Sequence, residues 1–119
     1  MSYGLVQETY TENLTASEVT VFKQNVTNVE FVMIEVDLTG SPLDSFTIQM
    51  KGHAASDLKD MFSTSEDYTN PMGLLRGSSC DMTTLNTDGW VMLDTRGISE
   101  IALKSSSSST TTLTVRVGG

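Results

Sequence analysis

Residues 29–51 read VEFVMIEVDLTGSPLDSFTIQMK, and this stretch decides the class of fold. Its last part, residues 46–51, alternates apolar and polar side chains, which is the pattern of a half-buried β-strand. Gly40 and Pro42 mark a turn just before it. The stretch therefore predicts two strands joined by a turn, and we expect these strands to pair as a hairpin.

The first of these strands, residues 29–39, changes phase along its length. Its apolar side chains lie on one face up to Met33 and on the other face from Ile34 onward. One extra residue in a strand inverts the facing of every residue after it, so we expect a β-bulge near residues 32–34. Burial of the strand on both faces is the alternative.

Other segments outward from this stretch also favour strands, and serine and threonine together make up 32 of the 119 residues. Residues 54–62 fit either a helical turn or a loop with a strand, and the Ser/Thr tract at 105–112 is interpreted as a hairpin tip. The sequence predicts an all-β protein, an antiparallel β-sandwich of seven or so strands, with a jelly roll as one candidate connectivity. Further strands are expected at residues 18–23, 90–93, 98–103 and 113–117.

A chain of this length has room for one hydrophobic core. We expect residues 1–17 to form an extended N-terminal arm and residues 18–119 to form a single β-sandwich domain. The arm is polar except for a few apolar side chains, and a frayed terminus is the alternative interpretation. The residues expected to contact a partner are Tyr3, Leu5, Val6 and Tyr10.

The formal net charge of −8 argues against several classes of function. Seven scattered basic residues against fifteen acidic ones cannot neutralise a phosphate backbone, so no nucleic-acid partner is expected. No apolar run approaches the roughly 18 residues of a membrane span, and the N-terminus does not resemble a signal peptide. We expect no membrane partner and synthesis in a cytoplasm.

The sequence carries few residues that could do chemistry. His53 is the only histidine and has no nucleophile motif near it, and Cys80 is the only cysteine. The acidic pairs at residues 57–60 and 66–67 lack the dense pattern of a calcium loop, so a solvated acidic surface is favoured. The chain is therefore expected not to be an enzyme, with no catalytic, cofactor-binding or metal-binding residues and no cofactor.

Trp90 has two interpretations. Its position beside Val91 and Leu93 favours an anchor in the core, whereas an exposed indole, together with Tyr68 and Tyr10, would suit a platform for sugar stacking. The two interpretations differ in whether the ring is accessible to solvent.

Residues 81–98, DMTTLNTDGWVMLDTRGI, resemble small structural proteins of tailed bacteriophages. The most distinctive part is Gly89-Trp90 followed by Asp94 and Gly97, and the resemblance extends over about residues 44–119. It implies a non-enzymatic virion component, best matched by capsid decoration or cement proteins. A neck or tail-associated structural module, and a carbohydrate-binding or receptor-binding β-sandwich, are the alternatives.

The resemblance also implies partners and a location. The expected partner is the major capsid protein or another virion protein, and the chain is expected to form a homo-oligomer, with a trimer as the first guess. The expected location is the capsid surface of a virion assembled after synthesis in the cytoplasm of a bacterial host.

Overall fold

The computed structural model of the protein describes residues 7–40, 43–53, 55–63 and 88–119. These residues form eight β-strands, and none of them lies in a helix. The strands are β1 (Gln7–Leu14), β2 (Val19–Asn25), β3 (Phe31–Gly40), β4 (Ser45–Lys51), β5 (Lys59–Ser63), β6 (Gly89–Asp94), β7 (Glu100–Ser106) and β8 (Thr111–Gly118).

The strands form two antiparallel sheets of four strands each. Sheet A has the order β1-β8-β3-β6, and sheet B has the order β2-β7-β4-β5. Strand β1 pairs with β8, β2 with β7, β3 with β6 and β4 with β5. This is the strand order of an eight-stranded jelly roll, which confirms the predicted antiparallel β-sandwich and settles its connectivity.

The hydrophobic core lies between the two sheets. Its side chains come from every second residue of the central strands, because successive residues of a strand point to opposite faces. Sheet A contributes Val32, Ile34, Val36, Val91, Leu93, Leu113, Val115 and Val117, and sheet B contributes Phe22, Phe46, Ile48, Met50, Ile101 and Leu103.

Strand β3 is regular, so the β-bulge predicted near residues 32–34 is wrong. Its register against β6 and β8 has no shift, and Val32, Ile34 and Val36 all point into the core. The change of phase arises because Phe31 and Met33 are apolar residues on the outer face. Register shifts occur instead between Thr20 and Phe22 in β2 and within the β4–β5 pairing, between Ile48 and Gln49.

The predicted hairpin between residues 29–39 and 46–51 is also wrong. Strand β3 belongs to sheet A and β4 to sheet B, so the connection after Gly40 crosses from one sheet to the other. Gly40 has φ of +122°, and a Cβ atom there would lie 2.6 Å from the carbonyl oxygen of Thr110. Glycine is needed because the backbone at the end of β3 lies against the backbone at the start of β8.

The Ser/Thr tract is also a crossing between the sheets rather than a hairpin tip. Its first residues complete β7 in sheet B, and its last residues begin β8 in sheet A. Several of its hydroxyl groups are buried and hydrogen-bonded, which removes the cost of burying them. Ser105 Oγ donates to the carbonyl oxygen of Ser45 at 2.6 Å, and the hydroxyls of Ser107 and Thr111 lie 3.1 Å apart.

Strand β1 corrects the predicted extent of the N-terminal arm. Residues 7–14 pair with β8 along their whole length and are therefore part of the sandwich. Tyr10 stacks on Phe22 at 4.9 Å between ring centroids, and its hydroxyl donates to Gln24 Oε1 at 2.8 Å. Tyr10 therefore connects β1, the edge strand of sheet A, with β2, the edge strand of sheet B.

Candidate interaction surface

Some of the residues considered for chemistry lie in the part of the chain that the structure describes. His53 is exposed, and its Nδ1 accepts a hydrogen bond from the backbone N–H of Ala55 at 3.0 Å. Asp60 accepts from Gln49 Nε2 at 2.9 Å, and Cys80 and residues 66–67 fall outside the described residues. Within the described ranges, no group of three or more His, Cys, Asp or Glu residues is placed to hold a metal ion. The same ranges contain no helix long and apolar enough to cross a membrane.

Trp90 is half-buried and lies on the outer face of sheet A, so its predicted place in the core is wrong. It pairs with Glu35 across strands β6 and β3, while its neighbours Val91 and Leu93 point inward. The strand alternates, and its inner positions are already filled by aliphatic side chains. The proposed sugar platform does not form with Tyr10, which lies on β1 at the opposite edge of the sheet.

Four large apolar side chains share the outer face of sheet A on strands β3 and β6. Met33 pairs with Met92 in the next row along from Trp90, and Phe31 lies one row further. Phe31 is 37% exposed, which makes it the most exposed large hydrophobic side chain in the described part of the chain. We call these residues, Phe31, Met33, Trp90 and Met92, the apolar patch.

Charged pairs border the apolar patch on both sides. On the β8 side, Arg116 donates to Glu35 Oε1 at 3.4 Å and also to Asp37 Oδ2. At the end near Phe31, the guanidinium of Arg96 lies 5.3 Å from the centre of the Phe31 ring and binds Asp94, with one N···O distance of 2.5 Å. These arginines are positioned by carboxylates at the rim of an apolar centre.

The pair of Arg96 and Asp94 changes the acidity of both groups. Hydrogen bonds from the Arg96 side chain, and then from its backbone N–H, lower the pKa of Asp94 to about 2. The same hydrogen bond, together with the charge of Asp94, raises the pKa of Arg96. Asp94 is therefore ionised over the physiological pH range and keeps Arg96 directed over the Phe31 ring.

Gly118 leaves a depression beside the apolar patch. It pairs with Met33 and with Gln7, and a Cβ atom built on it would meet no atom within 4 Å. The open depression around it has a volume of about 380 Å³ and is bordered by Met33 and Arg116. It is wide enough to accept a large side chain from another molecule.

The outer face of sheet B differs in character, because it carries a network of charged side chains. Lys104 Nζ lies 3.3 Å from Glu18 and 3.8 Å from Asp60, and Lys51 lies 3.4 Å from Glu100. These pairs are accessible to water and suit a solvated surface. The two outer faces thus differ, and the face of sheet A has the composition of a protein interface, which is enriched in aromatic residues, methionine and arginine.

The arm residues remain a separate question. Tyr3, Leu5 and Val6 lie outside the described residues, so their contact with a partner stays a prediction.

Sequence reasoning did not identify the apolar patch. Its signal is present in Trp90 and Met92 and in Phe31 and Met33, apolar residues in phase with the outer face rather than with the core.

No protein-family model matches the sequence, and no curated protein is significantly similar to it. Among solved structures, the crystal structure of the SPBc2 prophage-derived protein YomS is similar, with a TM-score of 0.60 and 8% identity over 95% of this chain and 94% of YomS. A chain of infectious bursal disease virus, Gx strain, matches with a TM-score of 0.33 and 17% identity over 97% of this chain and 32% of that chain. The second similarity is too low to support an argument, and the similarity to YomS shows a shared fold.

Proposed function

We propose that this chain is a non-enzymatic structural protein of a phage particle and that it works by packing against other proteins of the particle. The observation that carries the proposal is the apolar patch with its two arginines on the outer face of sheet A. Large apolar side chains on an outer sheet face mark a surface that another protein covers.

Two further observations support a phage particle as the setting. The segment at residues 81–98 resembles small structural proteins of tailed bacteriophages, and its Gly89-Trp90 strand is the edge of sheet A that carries half of the apolar patch. YomS, which shares the jelly roll over almost the whole chain, is described as prophage-derived. The jelly roll is also an architecture of viral capsid domains.

The finer proposal is that the chain decorates or cements the capsid. A small sandwich that lies across the boundary between capsid subunits resists their separation, because separation exposes the apolar area it covers. The partner would then be the major capsid protein and the location the capsid surface. A place in the neck or tail is the alternative for the same chemistry.

Sedimentation with purified particles tests the proposal. The protein should pellet with assembled shells and remain in the supernatant with free capsid subunits, and Phe31→Glu should reduce the pelleted fraction. The matched control is Thr20→Glu, which adds the same charge to an exposed residue on the outer face of sheet B. Equal binding of both variants, or no binding by the unchanged protein, would argue against a capsid role for this face.

A carbohydrate-binding or receptor-binding role is the second candidate, and the position of Trp90 on an outer face favours it. A sugar stacked on the indole would shield the ring from a soluble quencher. We would expect acrylamide quenching of Trp90 fluorescence to fall when the host surface glycan is added. Unchanged quenching with the host glycan present would remove this candidate.

A further inference from the structure

We propose that the free edge of β6 is where an extended segment of a partner protein adds as a fifth strand of sheet A. This inference rests on the proposed function, because it names the kind of contact that a protein of the particle makes beside the apolar patch. Three features of the molecule carry it: the contrast among the four edge strands, the backbone groups of β6, and the side chains next to them.

Three of the four edge strands in the described part of the chain oppose the addition of a further strand. The edges are β1 and β6 in sheet A, and β2 and β5 in sheet B. Strand β1 places Glu8 and Glu12 on its inner face, since each pairs with a core residue of β8. An added strand would take water away from both carboxylates, which disfavours pairing along β1.

The edges of sheet B are blocked in other ways. Strand β2 has a register shift between Thr20 and Phe22, and an irregularity of this kind twists an edge away from a partner strand. Strand β5 is five residues long, and its pairing with β4 is also shifted. Lys59 of β5 pairs with the core residue Met50 and so brings a charge to the inner face. Neither strand offers a long, even row of backbone groups.

Strand β6 differs from these three edges. Its register against β3 has no shift, its residues 89–93 carry no charge, and Val91 and Leu93 fill its inner face. The charged residue of the strand is Asp94 at its end, and Arg96 binds that carboxylate. A flat, uncharged edge is a template for another strand, so the contrast indicates that β6 is an edge that the protein uses.

The hydrogen bonds of β6 show which of its backbone groups face the free edge. The N–H of Thr95 donates to the carbonyl oxygen of Glu30, which continues the register of the β3–β6 pair by one row. In an antiparallel pair, residues alternate between bonding to the neighbouring strand and directing both backbone groups away from it. Counting back from Thr95, the residues that direct their N–H and C=O groups away from β3 are Trp90, Met92 and Asp94.

The side chains beside this edge define the chemistry of the added segment. Trp90 and Met92 lie on the outer face of sheet A, so a segment paired with them brings every second side chain next to the apolar patch. Apolar, β-branched side chains suit those positions. Both sheets are antiparallel, and we place the segment antiparallel to β6 as well.

Charge distinguishes the two ends of the segment. The exposed Asp88 precedes β6 and accepts a hydrogen bond from the backbone N–H of Leu38 at 2.8 Å. Asp94, at the other end of the strand, is already paired with Arg96. The partner is therefore an extended segment with apolar residues at alternate positions and a basic residue beside Asp88, which is its C-terminal end in the antiparallel direction.

The fluorescence of Trp90, the only tryptophan in the chain, tests the inference with a synthetic peptide. The probe is acetyl-Thr-Thr-Val-Thr-Val-Thr-Lys-amide, which has the required pattern. Its addition to the full chain should shift the emission of Trp90 to shorter wavelength, because the added strand takes water from the indole. Methylation of the two valine backbone nitrogens should weaken binding about tenfold, since their N–H groups would bond to β6. Methylation of the nitrogens of two threonines that flank the valines is the control, because those groups face away.

A pair of protein variants tests the same edge. Met92→Pro removes an N–H that points away from β3, so the pairing within sheet A is kept while the edge is blocked. Met92→Ala is the matched control, because it removes the same side chain and keeps the N–H. We expect Met92→Ala to bind the peptide and Met92→Pro to lose at least about tenfold in affinity. Circular dichroism of both variants establishes that they are folded.

The outcomes separate this inference from the proposed function. An unchanged Trp90 emission, which would also result if another part of this chain occupies the edge, would overturn strand addition. Equal binding of the two methylated peptides would overturn it as well. If Met92→Pro still pellets with shells as the unchanged protein does and Phe31→Glu does not, the proposed function stands and only strand addition is excluded.

Discussion

The phenol of Tyr10 ties the edge strand β1 to sheet B through two separate contacts. The ring stacks on Phe22, and the hydroxyl donates to Gln24. Burial of the phenol, followed by the charge of Glu8, raises the pKa of Tyr10. The side chain therefore stays neutral at physiological pH and closes one side of the sandwich.

Substitution of Tyr10 should separate these two contributions. We expect Tyr10→Ala to lower the free energy of unfolding by about 2 kcal/mol, because a half-buried aromatic contact is lost. Tyr10→Phe should cost about 1 kcal/mol or less, since only one hydrogen bond disappears. Urea denaturation of both variants measures the difference.

The exposed neighbour Thr11 provides the control for that experiment. Thr11→Ala changes a residue of the same strand that points to solvent, and its effect should stay within about 0.5 kcal/mol. If Tyr10→Ala is as mild as Thr11→Ala, residues 7–14 behave as a free arm, and the assignment of β1 to the domain fails.

A second prediction at the scale of single residues concerns the titration of the Asp94 carboxyl group with pH. Its pKa is about 2 in the folded chain against 3.8 for an ordinary aspartate. A carboxyl group whose pKa is lower in the folded state favours folding above its unfolded pKa, and this contribution is lost as the pH falls from about 4 to 2. NMR titration of the Asp94 carboxyl carbon should show its midpoint near pH 2.

Arg96 is responsible for this shift, which gives the titration its controls. Arg96→Gln should return the Asp94 midpoint toward pH 3.8, because the hydrogen bonds to its side chain are the largest cause of the shift. Arg116→Gln removes an arginine elsewhere on the same face and should leave the midpoint unchanged. A midpoint near pH 3.8 in the unchanged protein would refute the pairing in solution.

At the scale of elements, the close approach of the end of β3 to the start of β8 depends on Gly40. Any side chain there would have to adopt positive φ and would also collide with the carbonyl oxygen of Thr110. We expect Gly40→Ala to destabilise the fold by at least about 2 kcal/mol in thermal or urea unfolding. Gly118→Ala is the matched control, because its added Cβ meets open space. Equal stability of the two variants would show that Gly40 does not lie in close contact with Thr110.

The sequence predicts the strands better than it predicts their partners. Alternation over residues 46–51 and 113–117 is local, so it identifies β4 and β8 correctly. The turns after Gly40 and around Gly97 use the same residues as hairpins do, although each carries the chain to the other sheet. The choice of sheet depends on pairing with strands far away in sequence, and no local pattern contains that information.

The sequence does not predict the apolar patch, for a related physical reason. Hydrophobic side chains usually indicate the core, so the sequence pattern predicts an inward Trp90 and a bulge near Phe31. Both residues lie on the outer face of sheet A, outside the core between the two sheets. Only the register of β3 against β6 shows whether an apolar residue of these strands lies in the core or on the outer face.

At the scale of the whole molecule, the jelly roll predicts slow folding. Strand β1 pairs with β8 and β2 with β7, so contacts between distant parts of the chain must form together. Proteins dominated by such contacts fold in roughly milliseconds to seconds. Stopped-flow refolding monitored by Trp90 should fall in that range, and refolding in microseconds would contradict this topology.

The pairing of Gln7 with Gly118 places the beginning of β1 beside the end of β8. A short linker from Gly119 to Gln7 could therefore close the chain into a ring, and the ring could be opened at the exposed residues 108–110 between β7 and β8. Such a circular permutant would keep every strand pair while presenting new ends at the far side of the sandwich. The jelly roll would then tolerate a cargo displayed at that end, away from the first strand residues that border the Gly118 depression.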